Sequence, residues 1–187
     1  MKKSFKLGIA LLLLIALSSL DSDAQNASGG GAGIRYSIGV ETGIPAGSLN
    51  YAYKWNLGGS IQADIPVLEQ LYVTVNAGYN NIFVDKDVAP ASQDIHLIPA
   101  KAGLKYFILP IVYVQGEAGV AFLTNKSRLD DSKSAAFVYA PQAGILFPVG
   151  DSQFIDAGFR FESNSKFTEG GKKSNFFGLR LAYAFGI

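Results

Sequence analysis

The sequence predicts an all-β protein, an eight-stranded, antiparallel, up-and-down β-barrel that spans a membrane. Three observations support this fold. Short segments alternate apolar and polar residues, an export signal precedes them, and the connections between them differ systematically in length. Hydrophobic residues make up 49% of the chain and the mean hydropathy is +0.21, yet no apolar run reaches the roughly 18 residues that a transmembrane helix needs. The apolar residues are therefore spread over many short strands, as in membrane barrels.

The alternation is clearest between residues 154 and 163. Successive side chains of a strand point to opposite faces, so this segment presents one apolar face and one face of charge and glycine. Pro141 interrupts the sixth alternating segment and predicts a bulge there. The eight predicted strands cover residues 34–44, 53–65, 70–84, 95–108, 111–124, 136–147, 153–163 and 174–187.

The connections between the strands predict which end of the barrel faces outward. Three are short and three are long and polar, and an even strand count places all the long ones at the same end. Outer-membrane barrels have short periplasmic turns and longer external loops. The first connection, 45–52, is intermediate; the short ones are 66–69, 109–110 and 148–152, and the long ones are 85–94, 125–135 and 164–173.

The N-terminal residues 1–24 have the pattern of a cleaved secretory signal peptide. Three lysines precede an apolar stretch at 8–17, and Ser22 and Ala24 form a small-x-small cleavage site. Residues 25–33 are then a flexible, glycine-rich leader, and residues 34–187 form the barrel. The chain contains zero cysteines, so it has neither a lipoprotein attachment site nor disulfides.

The polar faces carry five basic and five acidic residues, which we predict to form a charge network in the barrel lumen. Ions in a confined space must pair, because an unpaired buried ion costs several kcal/mol. Glycine fills many of the other polar-face positions, which weakens a solvated strand but leaves room for long side chains in a narrow lumen. The predicted network consists of Arg35, Glu41, Asp64, Lys101, Lys105, Glu117, Asp156, Arg160, Glu162 and Arg180.

Aromatic residues on the apolar faces cluster near the strand ends. Amphipathic rings favour the interface between bilayer and water, so these residues predict two aromatic girdles around the barrel. The predicted girdle residues are Tyr36, Tyr53, Trp55, Tyr79, Tyr106, Tyr139, Tyr183 and Phe185.

The signal, the eight strands, the strand end Ala77-Gly78-Tyr79 and the aromatic final strand at 183–187 together resemble the small outer-membrane β-barrel proteins of the OmpX/OmpA-barrel kind. The resemblance covers residues 34–187. It implies a location in the outer membrane of a Gram-negative cell, with the membrane lipid and the outer-membrane assembly machinery as partners. Members of the family usually end in an aromatic residue; this chain ends in Ile187, with Phe185 on the same face.

Few residues suggest catalysis. The single histidine, His96, is near Ser92 and Asp94 in the sequence, but in no recognised catalytic motif. One histidine and zero cysteines leave only carboxylates as metal ligands, and the net charge of +1 does not favour nucleic acid as a partner. We therefore expect no catalysis, no metal and no cofactor.

The sequence favours an integral outer-membrane protein with a structural role or a surface-interaction role, in which the external loops bind a surface ligand. Three alternatives remain open. The polar lumen is compatible with a low-conductance, porin-like channel. The alternation also fits a soluble, lipocalin-like ligand-binding barrel with its apolar face inward. Finally, His96 and its neighbours leave open a barrel enzyme that modifies lipid A.

Overall fold

The computed structural model describes residues 33–90, 92–124, 134–165 and 174–186. Each strand pairs antiparallel with the next, and β1 also pairs with β8, so the sheet is a closed barrel. Within the described residues, no helix is long and apolar enough to cross a membrane. The strands are β1 (Arg35–Ala46), β2 (Tyr53–Leu68), β3 (Leu71–Val84), β4 (Ile95–Phe107), β5 (Val112–Leu123), β6 (Ala135–Gly150), β7 (Gln153–Asn164) and β8 (Ser174–Gly186), with a short 3-10 helix at Gly47–Tyr51.

The predicted fold class is confirmed, and most strand ends lie within two residues of the prediction. The larger differences are at β2 and β6, which continue to Leu68 and Gly150 through prolines that the sequence placed in turns. The strand register shifts just beyond each of these prolines, between Pro66 and Leu68 in β2 and between Pro148 and Gly150 in β6. An extra residue beside the proline lets the strand continue although proline has no N–H to donate.

The bulge predicted at Pro141 is wrong. Pro141 faces Gly116 of β5 in regular register. On the other side, Tyr139 faces Ser163 and Gln142 faces Arg160, so the register with β7 is the same before and after the proline. Pro141 is therefore accommodated inside β6 without an extra residue.

The outside of the barrel is apolar and the inside is largely polar. Ile38 and Leu181 point outward and are 60% and 55% exposed, whereas Lys105 and Arg180 point inward and are 0% and 2% exposed. A soluble lipocalin-like barrel has the opposite arrangement, with apolar side chains around an internal cavity. An apolar outer wall on a closed sheet without edges is what a bilayer requires of β-structure.

The interior has three layers, which we name by the end of the barrel at which they lie. The short-turn cluster is apolar and lies beside the short connections, and the long-loop cluster is apolar and lies beside the long ones. A polar layer separates them. The short-turn cluster consists of Tyr72, Phe107, Tyr113, Leu146, Phe154 and Ala184, and the long-loop cluster of Tyr53, Ile82, Ile95, Leu97, Leu123 and Phe176.

Glycines on the inner face provide space for the polar layer, as their number in the sequence suggested. A Cβ atom on Gly158 would lie 2.5 Å from Nε2 of Gln142 and 3.0 Å from the hydroxyl of Tyr113. A Cβ atom on Gly144 would also overlap the ring of Tyr113. Side chains from β5 and β6 thus occupy the volume that these two glycines leave open.

Candidate functional site

The lumen charge network joins ten ionisable side chains inside the barrel. All ten predicted side chains point into the barrel, and ion pairs of 4.0 Å or less connect them into one chain in which positive and negative groups alternate. The order is Arg35, Asp64, Lys105, Asp156, Arg180, Glu41, Arg160, Glu117, Lys101 and Glu162.

The links of this chain differ in length. Nζ of Lys105 is 2.7 Å from Asp64, and Nζ of Lys101 is 2.9 Å from Glu162. Arg160 donates from Nη1 to both carboxylate oxygens of Glu41, at 3.1 and 3.0 Å. The link between Arg35 and Asp64 is the longest, at 3.9 Å. Charge compensation is therefore tight in the middle of the barrel and weakest at Arg35, near the short-turn end.

Neutral side chains complete the polar layer. The hydroxyl of Tyr113 donates to Asp156 at 2.5 Å and accepts from Gln142, also at 2.5 Å. Gln62 donates to Asp64 at 2.7 Å and exchanges hydrogen bonds of 3.3 Å with Gln115 from the opposite wall. Two of these contacts, Tyr113–Asp156 and Gln62–Gln115, connect strands that are not neighbours, so the layer ties separate walls of the barrel together.

Open space within the polar layer is small. The internal cavity beside Arg160 and Glu162 has a volume of about 20 Å³, which is room for about one water molecule. The long-loop cluster covers this layer on one side, with Ile82 and Leu97 0% and 1% exposed. The side chains thus fill the lumen, as expected for an eight-stranded barrel.

Seven of the eight predicted girdle residues lie on the outer wall. At the short-turn end, the ring of Phe185 lies 6.1 Å from that of Tyr36 and 6.3 Å from that of Tyr183. At the long-loop end, Trp55 stacks on Phe83 with ring centres 4.4 Å apart. The seven are Tyr36, Trp55, Tyr79, Tyr106, Tyr139, Tyr183 and Phe185, all 36–47% exposed.

Tyr53 is a correction to the predicted girdle. Its side chain packs inside the barrel against the long-loop cluster, not on the outer wall. The register of β2 against β3 shifts between Tyr53 and Trp55, so Lys54 is an extra residue. A bulge of one residue reverses the face of every side chain beyond it. Tyr53 and Trp55, which the sequence placed on one face, therefore lie on opposite faces.

His96 lies at the outer wall beside the aromatic residues. Its Nδ1 atom is 2.5 Å from the hydroxyl of Tyr79. Asp94, its neighbour in the sequence, accepts a 3.0 Å hydrogen bond from the backbone N–H of Val84, and the carbonyl of Ser92 accepts one of 2.7 Å from Lys86. These contacts give Asp94 and the backbone of Ser92 roles in holding the connection between β3 and β4.

The rim at the long-loop end carries a small charge cluster that the sequence did not single out. Nζ of Lys54 lies 2.9 Å from Asp85 and 3.0 Å from Asp87. The hydrogen bond from Lys54 holds the pKa of Asp85 below its ordinary value. The residues 125–133 and 166–173 of the other two long loops lie outside the described part of the chain.

The sequence also matches a family model, described as the outer membrane protein beta-barrel domain, over residues 8–185. This match covers most of the chain and agrees with the closed eight-stranded barrel. The chain belongs to the outer membrane protein β-barrel domain family. No curated protein matches it.

Solved structures of other outer-membrane barrels are similar to this member of the family. Neisserial surface protein A has a TM-score of 0.58 and 17% identity, covering 85% of this chain and 100% of its own. The outer membrane enzyme PagL has a TM-score of 0.59 and 16% identity, covering 81% and 99%. Ail, the attachment invasion locus protein of Yersinia pestis, solved in complex with the heparin analogue sucrose octasulfate, has a TM-score of 0.50 and 18% identity, covering 83% and 100%.

These similarities establish the barrel fold and an outer-membrane location. They do not determine the activity, because a surface protein, an enzyme and an attachment protein share the same architecture.

Proposed function

We propose that this protein is a sealed outer-membrane barrel that anchors its long loops at the cell surface, where the loops bind an external ligand. The filled lumen is the observation that carries this proposal. Two apolar clusters and an alternating chain of ten ions occupy the interior, so the chemistry available to outside partners is at the rims. The barrel itself then has a structural role and no catalytic one.

The filled lumen argues against the channel alternative. A conducted ion would have to pass the long-loop cluster, whose buried members are at most 7% exposed, and then displace ions that already have partners. In planar bilayers we expect no conductance steps from the purified protein. Regular, voltage-stable steps would contradict the proposal and favour the channel.

The contacts of His96 give no support to the lipid A-modifying alternative. Its Nδ1 atom pairs with the phenol of Tyr79, and Asp94 caps a backbone N–H. We expect purified protein to leave lipid A unchanged in mass. Removal of an acyl chain that is lost in His96→Ala would overturn the non-enzymatic assignment.

The sequence of the long loops suggests an acidic polysaccharide as the ligand. Residues 125–133 carry three basic and two acidic side chains, and residues 166–173 carry three basic and one acidic. Clustered Lys and Arg side chains bind anionic groups and attract them over a distance. Ail, with a similar barrel, was solved with a heparin analogue, which supports the same class of ligand for this chain.

Binding of the purified protein to immobilised heparin tests this ligand. We expect binding that weakens steeply with salt and falls about tenfold in the triple variant Lys166→Gln, Lys172→Gln, Lys173→Gln, since three lost charge contacts of about 0.5 kcal/mol each weaken binding by about 1.5 kcal/mol. Lys86→Gln, in the acidic loop between β3 and β4, is the matched control and should bind as the wild type does. Equal binding by the triple variant and the wild type would exclude these loops as the site.

We also propose that residues 1–24 direct export and are removed, and that the assembly machinery of the outer membrane inserts the barrel. The lysines, apolar stretch and Ser22-x-Ala24 site support cleavage before Gln25. N-terminal sequencing of the protein from outer-membrane fractions should begin at Gln25. A mature chain that retains the first lysines would contradict the cleavage.

A further inference from the structure

Arg35 lies in an unusual environment at the short-turn end of the barrel. Its guanidinium faces the rings of Tyr72, Phe107 and Phe154, with distances of 5.3, 5.7 and 4.8 Å from Cζ to the ring centres. Such contacts attract a cation to the ring faces but leave its N–H groups without acceptors. The side chain is 11% exposed, so water replaces few of those acceptors.

The hydrogen-bonding capacity of Arg35 is unused within the described residues. A guanidinium has five N–H donors, and the nearest acidic atom, Oδ2 of Asp64, is 3.9 Å away. Asp64 already accepts 2.7 Å hydrogen bonds from Lys105 and Gln62. The Nη1 atom of Arg35 is buried and has no hydrogen-bond partner there. A buried donor left unpaired is costly, and such a group calls for an explanation.

Arg35 lies at the base of an open cavity, which we call the short-turn vestibule. The vestibule has a volume of about 420 Å³, and its upper wall is the turn between β4 and β5. Leu109 and Ile111 of that turn are 58% and 40% exposed although they are aliphatic. The vestibule therefore combines a weakly paired cation at its base with an apolar wall at the β4–β5 turn, and the exposed Glu69 and Gln70 line its other side.

We infer that the short-turn vestibule binds an amphiphile with an oxyanion headgroup, a carboxylate or a phosphate, and an alkyl tail. The planar fork of Arg35 matches either headgroup in a bidentate geometry. The tail lies against Phe154 and the aliphatic residues of the β4–β5 turn, away from water. This site is at the opposite end of the barrel from the long loops and goes beyond the proposed function of those loops.

The position of Arg35 favours an anionic headgroup at the base of the vestibule. Its ion pair with Asp64 is the longest of the network, at 3.9 Å, while Asp64 also contacts Lys105 at 2.7 Å. An incoming oxyanion supplies the acceptors that the guanidinium lacks. An incoming cation would meet Arg35 at the base of the vestibule, and the one carboxylate among the lining residues, Glu69, is exposed on the turn between β2 and β3.

Photo-crosslinking of the full mature protein tests this site. The protein is folded in micelles of dodecyl maltoside, which carry neither charge nor phosphate, and exposed to a decanoic acid that bears a diazirine on its tail. We expect crosslinks at residues 108–111 and at Phe154, competed by unlabelled decanoate but not by decanol. Labelling that decanol removes equally well would show an apolar crevice only and would overturn the inference.

Amino-acid substitutions test which residues bind the probe. Heat-modifiable gel migration checks that each variant is folded. Arg35→Gln should reduce labelling at least about tenfold, since a lost charge-assisted hydrogen bond has this effect, while Arg35→Lys should retain part of it. Leu109→Asp, at the exposed mouth, should repel the probe, whereas its neutral counterpart Leu109→Asn should not. Unchanged labelling of Arg35→Gln, or of Leu109→Asp if Arg35→Gln does not fold, contradicts the site.

A second competition experiment identifies the molecule that supplies the headgroup. Phosphatidylglycerol that competes at a lower concentration than decanoate identifies a membrane phospholipid, and the reverse order identifies a free carboxylate. Deletion of the leader, residues 25–33, tests whether the leader occupies the vestibule instead. We expect labelling to be the same with and without the leader, and labelling that appears only after its removal would overturn the inference.

Discussion

Replacing Lys105 by methionine removes the cation that lies deepest in the lumen charge network. Lys105 is 0% exposed, and its ammonium lies 2.7 Å from Asp64, 3.4 Å from Asp156 and 4.5 Å from the ring centre of Tyr113. Methionine keeps much of the side-chain volume and removes only the charge. The variant therefore isolates what the ion pairs contribute.

The magnitude follows from what Lys105→Met leaves behind. At 2.7 Å the Coulomb attraction to Asp64 is about 6 kcal/mol for an effective dielectric constant of about 20, and the cost of removing the ammonium from water offsets part of it. Asp64 retains its hydrogen bond from Gln62 and the distant Arg35, so its charge is poorly compensated. Breaking a buried pair from one side costs about 3–5 kcal/mol, and we expect a loss of that size.

Urea unfolding in lipid vesicles measures this loss. The chain contains one tryptophan, Trp55 on the outer wall, whose fluorescence reports its transfer between lipid and water. The control Leu104→Met, the adjacent outward-facing residue, should lose less than about 1.5 kcal/mol. The double variant Lys105→Met, Asp64→Asn should recover at least half of the loss, because the carboxylate left without its lysine is then neutral; Asp156 keeps its ion pair with Arg180, and Arg35 loses only its 3.9 Å contact. An equal loss in Lys105→Met and Leu104→Met would refute the reasoning.

Three further predictions follow from the walls and the rim. Ala118→Arg, on the outer wall of β5, should cost roughly 2–4 kcal/mol in the same assay because it buries a charge in lipid; Ala118→Leu should not, and equal losses would contradict the outward assignment. Gly39→Ala should destabilise the β1–β8 closure, because its Cβ would lie 2.6 Å from a β8 side chain, whereas Gly116→Ala, with nothing within 4 Å, should not. In NMR titrations Asp85 should titrate below 3.8 and return upward in Lys54→Met. Since its folded pKa is lowered, the stabilisation from this pair is present above the unfolded pKa and is lost as pH falls through the folded pKa; an unchanged midpoint in Lys54→Met would contradict the pair.

The strands and their faces could be predicted because they depend on local, two-residue periodicity. Strand β7, for example, has Asp156 and Arg160 inside and Phe159 outside, as its alternation indicates. The same rule placed all ten charged residues in the lumen. The pairs that these residues form could not be predicted in the same way. Arg160 contacts Glu41, which is 119 residues away in the chain, and such a contact depends on the register of all the strands between them.

The errors have local physical causes. A bulge at Lys54 reversed the face of Tyr53, and one extra residue at the start of a strand does not disturb the alternation of the residues that follow it. The two apolar clusters were also missed. Ile82 and Leu97 occupy inward positions near strand ends, beside polar residues that the alternation had already assigned to the lumen, so the prediction of charges and glycines inside was incomplete.

Arg35 illustrates what a sequence cannot show. Its inward direction followed from parity, but its three aromatic neighbours come from β3, β4 and β7. The open vestibule beside it depends on the turn between β4 and β5. Only closure of the barrel brings these elements together.

The central claim is that the apolar face contacts acyl chains while charged and apolar side chains fill the inside. Nuclear Overhauser effects between lipid methylenes and methyl-labelled wild-type protein in nanodiscs test it most directly, without any substitution. We predict strong contacts from acyl chains to the outward methyls of Ile38, Ile61 and Leu181 and none to those of Ile82, Leu97 and Val138, which are at most 1% exposed. Lipid contacts to the second set and not to the first would show that the barrel is inside out.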